Sequence, residues 1–228
     1  MDTSDLPVPG VMAARIDLSS RLRVFDLDGS LVAASRELWE ILEPDALLIA
    51  KAHWDQWLHC FPHEEKWVAH DEPKMMELGR AFLRNRFLHT ADRDWIESIE
   101  RSVAGAYRAN VSTLALLSMT SASDRAALDV LMRRVDRSNS DLPAMIDTLM
   151  RLSALEGEIT VELYNAYREY SAQRDRDQLT AEFRDGIVAM VETALDEGGT
   201  LRDQGVKASV MTRGMLGKAS EVAAAAEQ

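Results

Sequence analysis

Apolar side chains recur three and four positions apart along most of this chain, which is the spacing of one face of an α-helix. The clearest run lies in the second half, at Met145, Leu149, Leu152, Leu155, Ile159, Leu163 and Tyr167. Only 11 Gly and 6 Pro occur in 228 residues, which favours long helices over many short strands. No Pro follows Pro143, so the pattern predicts continuous helix towards Gln228.

Turn residues divide the first half into shorter helices. Asp28-Gly29-Ser30 is predicted to be a turn, with the Ser30 hydroxyl capping the next helix. The predicted helices are one through Leu42, one that begins at Pro44 and stops near Phe61-Pro62, one that opens at Pro73, one from Asp92 or Asp94 through about Met119, and one that begins at Ser121 or Ser123. Residues 1–21 are predicted to be a flexible lead.

Beyond residue 173 the apolar face narrows to the two seams of a heptad repeat. Apolar residues hold most seam positions, at Phe183, Ile187, Met190, Ala194, Leu201, Ala208, Met211, Met215, Val222 and Ala225. Glycines also interrupt this stretch, and each weakens a helix by about 1 kcal/mol relative to Ala. Such a seam is not stable alone, so we expect residues 174–228 to pair with a second copy as the start of a dimeric coiled coil.

The charge and the rare residues of the chain narrow the function classes. The formal net charge is −12, which repels phosphate backbones and disfavours a nucleic-acid partner. The chain has no apolar run of about 18 residues, so we expect no membrane insertion. The acidic start lacks the features of a signal peptide, which predicts a cytoplasmic location. Cys60 is the only cysteine, so a multi-cysteine metal site is excluded.

Two segments resemble parts of known bacterial receptors. Residues 183–228, with their FRDGIV opening and EVAAAAEQ ending, resemble the entry helix of methyl-accepting chemotaxis proteins. Residues 21–173 resemble the protoglobin-like domain of globin-coupled sensors. This likeness rests on the helix that ends at Phe61-Pro62, the helix that opens near Trp95, and the sequence LSALEGEI…LYNAY between Leu152 and Tyr167. The combination implies a globin-like sensor followed by a receptor helix.

The resemblance also implies a ligand pocket, and departures from the family pattern bear on its chemistry. Haem-binding members carry a histidine on the helix that corresponds to residues 95–119, where this chain has Ala106 or Tyr107. The family's ligand-side tyrosine is replaced by Trp54. We therefore expect no cofactor and no conventional His-ligated haem, with haem held by Tyr107 or by another histidine as the alternative. The pocket candidates are Trp54, Trp57, Trp95, Val103, Ala106 and Tyr107.

One short string could carry enzymatic chemistry. Asp26-Leu-Asp28-Gly29 looks like the start of a phosphatase of the haloacid dehalogenase type, in which an aspartate attacks phosphorus. That chemistry needs a strand directly before it and alternating strands and helices after it, so we interpret the string as a turn and cap.

The arginine pairs Arg84/Arg86 and Arg133/Arg134 are expected to face solvent.

The histidines offer a weak case for a metal site. His59 and His63 are four residues apart, a spacing that can chelate a metal on a helix, but Phe61-Pro62 lies between them. His63 and His70 could gather in a loop with Glu64 and Glu65, and solvated polar residues are the preferred interpretation.

The sequence therefore predicts an all-α protein in three parts: a flexible lead (1–21), a globin-like helical sensor domain (22–173) and the start of a signalling coiled coil (174–228). The expected function is a cytoplasmic sensor module of a chemoreceptor, not an enzyme and without catalytic or metal-binding residues. The expected partners are a second copy, through Phe183, Ile187, Met190, Leu201, Met211, Met215 and Val222, and downstream chemotaxis proteins acting through a missing C-terminal part. A haem-based oxygen sensor and a helical scaffold or partner-binding domain are the alternatives.

Overall fold

The computed structural model describes residues 6–60 and 72–226, and this part of the chain contains helices and turns but no strand. The helices are α1 (Leu18–Phe25), α2 (Leu31–Leu42), α3 (Ala46–Cys60), α4 (Glu72–Leu88), α5 (Arg93–Arg108), α6 (Thr113–Arg134) and α7 (Leu142–Ala226). Short 3-10 helices at Ala13–Arg15 and Glu43–Asp45 precede α1 and α3. The predicted all-helical class is confirmed.

The chain divides into two compact units, Met1–Ser171 and Ala172–Gln228. In the first unit α3 packs against α4 and α6, while α2 also contacts α4 and α6. Gly79 permits the close crossing of α3 and α4, because a Cβ atom there would lie 2.7 Å from the Cβ of Ala50. The close approach brings α4 to the wall of the cavity described below.

The first part of α7 supplies one side of the core. Leu152, Leu155, Ile159, Leu163 and Tyr167 are all fully buried, as their spacing of three and four predicts. The helix then continues without a break to Ala226. In the second unit the apolar side chains are exposed, with Phe183 at 70% and Ile187 at 40%. No helix within residues 6–60 and 72–226 combines the length and hydropathy needed to cross a membrane.

The long helix predicted from Asp92 or Asp94 to about Met119 is wrong, because the structure contains two helices there. α5 ends at Arg108, and Asn110 adopts a left-handed conformation with φ of 56°. α6 then begins at Thr113, where the Ser112 side chain accepts a hydrogen bond from the backbone N–H of Ala115. Asn tolerates the left-handed region and Ser favours the N-cap, so this break has a sequence signal. The predicted helix start at Ser121 or Ser123 is likewise wrong.

The expected flexible lead differs from the structure, in which part of it is packed. Met12 and Ala13 are buried, and the backbone N–H groups of Gly10, Met12 and Ala13 donate to the Glu100 carboxylate at 2.6, 3.1 and 2.9 Å. Tyr167 on α7 also donates its hydroxyl to Glu100, at 2.9 Å. Burial and the adjacent carboxylate raise the pKa of Tyr167, so its hydroxyl keeps the proton that it donates. One buried carboxylate therefore ties the N-terminal segment to α5 and α7.

The Asp26–Ser30 string forms a turn, as predicted, but with different capping. Gly29 has φ of 71°, and Asp26 accepts a hydrogen bond from the backbone N–H of Leu31. The Ser30 hydroxyl donates to Asp28 and makes no cap bond, so its predicted role is wrong. Helix α1, not a strand, precedes Asp26, which removes the framework that the phosphatase interpretation requires.

Candidate functional site

A cavity of about 420 Å³ lies inside the first unit, between α3, α4, α5, α6 and α7. Small-molecule sites have volumes of roughly 300–1,000 Å³, so the cavity has the size of a ligand site. Its apolar wall is formed by side chains from four helices, namely Ala50, Trp54, Leu78, Ala81, Phe82, Leu83, Ile99, Val103 and Leu116. Its polar lining consists of His53, Asn85, Arg86, Ser98, Arg101, Ser102, Thr120, Ser123, Glu156 and Thr160.

A charged cluster is buried at one side of this cavity. The side chain of Arg86 is 1% exposed, and its Nη1 donates to Asp124 Oδ1 at 2.7 Å. Arg86 Nε lies 2.9 Å from Glu156 Oε2 as an ion pair, although the N–H is not aligned on that oxygen for a hydrogen bond. Ser153 donates to the second oxygen of Asp124 at 2.5 Å. One guanidinium on α4 thus faces two carboxylates, one on α6 and one on α7.

Burial governs the protonation of this cluster. Burial disfavours the charge of Arg86, but Asp124 and Glu156 more than offset that effect and hold its pKa above the ordinary value. Burial raises the pKa of Glu156 to about 7, while Arg86 and a hydrogen bond from Thr120 act in the opposite direction. Near neutral pH, Glu156 is therefore the group in the cluster that exchanges a proton.

His53 lines the cavity next to the cluster. Burial lowers the pKa of His53 to about 4, although Asp124 and a hydrogen bond to the Met119 backbone act to raise it. The ring stands edge-on to Trp54, with centroids 5.3 Å apart. His53 is thus a neutral imidazole at pH 7, and it adds no charge to the cavity.

Polar side chains from α4 and α5 form hydrogen bonds with one another at another part of the cavity wall. Asn85 donates to the Ser98 hydroxyl at 2.7 Å, and Arg101 Nη2 donates to the same hydroxyl at 2.9 Å. Ser98 is buried, whereas Arg101 and Ser102 are exposed. Because the exposed residues also line the cavity, this side is where it meets solvent.

The structure brings together two of the six predicted pocket residues. Trp54 and Val103 line the cavity, and the indole N–H of Trp54 donates to the Met75 carbonyl at 3.2 Å. The other four residues lie outside the lining: Trp57, Trp95 and Ala106 are buried in the core, and Tyr107 packs against Tyr164 and Tyr167 with ring centroids 5.4 and 5.9 Å apart. The face of α5 towards the cavity lies about one turn before Ala106 and Tyr107.

The lining does not fit conventional His-ligated haem. Ser98, Ile99, Ser102 and Val103 form the non-cationic part of the α5 lining, and none of these side chains ligates iron. Tyr107 lies outside the lining. Among the described lining residues His53 is the one imidazole, and it is bonded to the Met119 backbone beside a buried guanidinium and two carboxylates. We assign no role to haem.

The remaining candidates do not form a site. His63, Glu64, Glu65 and His70 lie outside the described residues. His59 is exposed, and His89 pairs with Asp92 at 2.9 Å. Cys60 is exposed at the end of α3. Within the described ranges, no three His, Cys, Asp or Glu residues are placed to hold a metal ion.

The charged cluster was not predicted from the sequence. Arg86 was expected to face solvent and is buried, so that prediction is wrong for Arg86, whereas Arg84, Arg133 and Arg134 are exposed. A signal was present, because Arg86 lies three residues after Leu83 and beside Phe87 on the apolar face of α4. Glu156 likewise lies four residues after Leu152 on the buried face of α7. A charge within an apolar stripe indicates a buried ion pair.

Ionisation of Glu156 in the cluster makes the free energy of unfolding depend on pH. Glu156 has a pKa of about 7 in the fold and 4.5 ordinarily, so the folded chain binds the proton more tightly. Its stabilising effect is complete below pH 4.5 and is lost as the pH rises through 7. Relative to Glu156→Gln, the wild-type free energy of unfolding should fall over this window by about 3 kcal/mol, measured by urea unfolding.

His53 supplies the internal control for that measurement. Its pKa is lowered from 6.5 to about 4, so its contribution is present above 6.5 and is lost as the pH falls towards 4. The two residues oppose each other between about pH 4.5 and 6.5. Glu156→Gln should therefore gain stability with rising pH in this window, and His53→Gln should lose it. Parallel profiles for the two variants would contradict the assignment.

Comparison of the chain with protein-family models, with curated proteins and with solved structures gives no match in any of the three. The cavity, its charged cluster and the helices that carry them are therefore the basis for the function proposed next.

Proposed function

We propose that this chain is a cytoplasmic signal-transduction sensor module of a chemoreceptor, similar in plan to globin-coupled sensors but without His-ligated haem. In this proposal the first unit receives the signal in its cavity. Residues 174–226 form a stem that pairs with a second copy and relays the change to downstream chemotaxis proteins. The support comes from the cavity wall and from the exposed side chains of the second unit.

One observation carries the proposal: the helix that lines the cavity also carries the unpaired apolar seam. Glu156 and Thr160 on α7 lie in the cavity wall, and α7 continues in helical conformation to Ala226. A ligand that shifts or rotates α7 by an ångström or two would move side chains of a closely packed core, which responds in discrete steps. Such a shift can then pass along the helix.

The second unit supports pairing because its described residues, up to Ala226, form no core of their own in a single chain. Its predicted seam residues are all substantially exposed, at 40% to 70%: Phe183, Ile187, Met190, Leu201, Met211, Met215 and Val222. An isolated amphipathic helix derives most of its stability from burying its apolar face. A second copy would supply that burial along one heptad frame.

The seam can be tested with two substitutions on the same helix. Leu201 falls on the predicted seam, whereas Leu195 follows the seam residue Ala194 and points away from it; their exposures are 67% and 71%. Leu201→Arg places a charge in the proposed interface and should weaken dimerisation at least tenfold, measured by sedimentation equilibrium. Leu195→Arg should leave the dissociation constant nearly unchanged.

The matched pair separates an interface from a general effect on the helix. Both variants replace leucine by arginine in the same helix, so at concentrations where both are dimeric, circular dichroism should show equal helix content. A strictly monomeric wild-type chain would overturn the proposed stem. Equal weakening by both substitutions would mean that the pairing face differs from the predicted seam.

A further inference from the structure

The cavity wall contains a buried hydrogen-bond donor without an acceptor. Arg86 is 1% exposed, and its Nη2 has no hydrogen-bond partner among the described residues. Buried donors of native proteins are almost always paired, and an unmet donor on a charged group is costly. Arg86 belongs to the cavity lining, so an oxygen of a bound molecule could accept from this atom once the guanidinium turns towards the cavity.

The charges around Arg86 restrict what that oxygen can be. Its Nη1 and Nε already face the carboxylates of Asp124 and Glu156, at 2.7 and 2.9 Å. Arg101 also lines the cavity, so two cations, Arg86 and Arg101, balance the two carboxylates, and neither an anionic nor a cationic ligand meets an excess of opposite charge. Removing either ion from water also carries a desolvation cost. The balance favours an uncharged acceptor, such as a carbonyl or hydroxyl oxygen.

The apolar side chains of the cavity wall restrict the rest of the bound ligand. Trp54, Phe82, Ile99 and Leu116 present aromatic and aliphatic surface to the cavity. A cavity of about 150 Å³ lined by apolar side chains holds a benzene molecule. The volume of about 420 Å³ therefore has room for a bicyclic aromatic body together with a short polar group.

We propose that the cavity binds an uncharged, mainly apolar small molecule whose carbonyl or hydroxyl oxygen accepts a hydrogen bond from Arg86. The proposal rests on the sensor function above, since this molecule would be the signal. It specifies the chemical class of the ligand and the residue that recognises it. Binding can be measured independently of any change in the stem.

Four probes that share a naphthalene ring system test the proposed class of ligand. The full chain is titrated by calorimetry at pH 7.5 with 2-acetonaphthone (neutral acceptor), 2-naphthoate (anion), 2-naphthylmethylammonium (cation) and naphthalene (no acceptor). The ketone should bind at least tenfold more tightly than either ion. Tighter binding of an ion, or no binding of any probe, would overturn the proposal.

Two substitutions locate the binding. Arg86→Lys keeps the positive charge but removes Nη2. It should therefore weaken binding of the ketone about tenfold and leave the dissociation constant of naphthalene within threefold of the wild-type value. Ser102→Trp fills the exposed side of the cavity and should abolish binding of both. Ser121→Trp, at an exposed position outside the lining, should have no effect. Ketone binding unchanged in Ser102→Trp would overturn the site even if Arg86→Lys does not fold.

The outcome is separable from that of the sensor proposal. Ketone binding that obeys both substitutions, combined with a strictly monomeric chain, would leave the ligand class standing and remove the proposed stem. A dimer that requires Leu201, combined with tighter binding of 2-naphthoate, would leave the stem standing and remove the ligand class.

Discussion

Replacing Arg86 by Met should lower the free energy of unfolding at pH 7 by about 3–5 kcal/mol, measured by urea denaturation. Met keeps an unbranched side chain of comparable volume, so most of the loss comes from charge. Asp124 and Glu156, with side chains 14% and 4% exposed, would remain as two buried carboxylates without a counter-ion. Arg86→Met should therefore be less destabilising at pH 5, where Glu156 is protonated in the fold.

A compensating variant tests the origin of this loss. Combining Arg86→Met with Asp124→Asn and Glu156→Gln removes all three charges, and it should recover about half of the lost stability or more, because paired charges and neutral replacements are often close in energy. Arg84→Met, on the same helix and exposed, should cost less than about 0.5 kcal/mol. A loss below about 1 kcal/mol for Arg86→Met would show that the cluster is hydrated.

Glu100→Ala should destabilise the chain by about 3–5 kcal/mol, because four donors lose their common acceptor. The carboxylate accepts from the backbone N–H groups of Gly10, Met12 and Ala13 and from the Tyr167 hydroxyl. Limited trypsin digestion should also accelerate at Arg15, which is exposed and follows the anchored residues. Urea unfolding and the digestion rate measure the two effects.

Tyr167→Phe is the matched control, since it removes one of the four donors and keeps the aromatic packing against Tyr107. It should cost about 1 kcal/mol and leave the digestion rate at Arg15 nearly unchanged. If Glu100→Ala were no more destabilising than Tyr167→Phe, the three backbone contacts would contribute little to stability.

The helices were predictable where one apolar face recurs without interruption. The buried face of α7, from Leu149 to Tyr167, follows directly from its spacing. The boundary between α5 and α6 was not found, because apolar residues continue at a spacing of four through Val103, Tyr107 and Val111. There a single residue, Asn110 with positive φ, overrides the periodicity.

The site was less predictable because its central residues come from distant parts of the chain. Arg86 and Asp124 are 38 residues apart, and each is polar enough to belong on a surface when taken alone. Trp54 was predicted because the resemblance to globin-coupled sensors places it where that family carries its ligand-side tyrosine. The pairing of charges depends on how helices cross, and a single sequence carries little information about that.

The anchored N-terminal segment has a practical consequence for dissecting the molecule. A fragment that starts at residue 22, where the predicted sensor domain begins, would leave out Gly10, Met12 and Ala13. It would also lack Arg21, which pairs with Glu158 and Glu162 on α7. A fragment without these residues would expose the buried Glu100 side of α5 to water. Experiments on the isolated first unit should therefore retain residues 6–21.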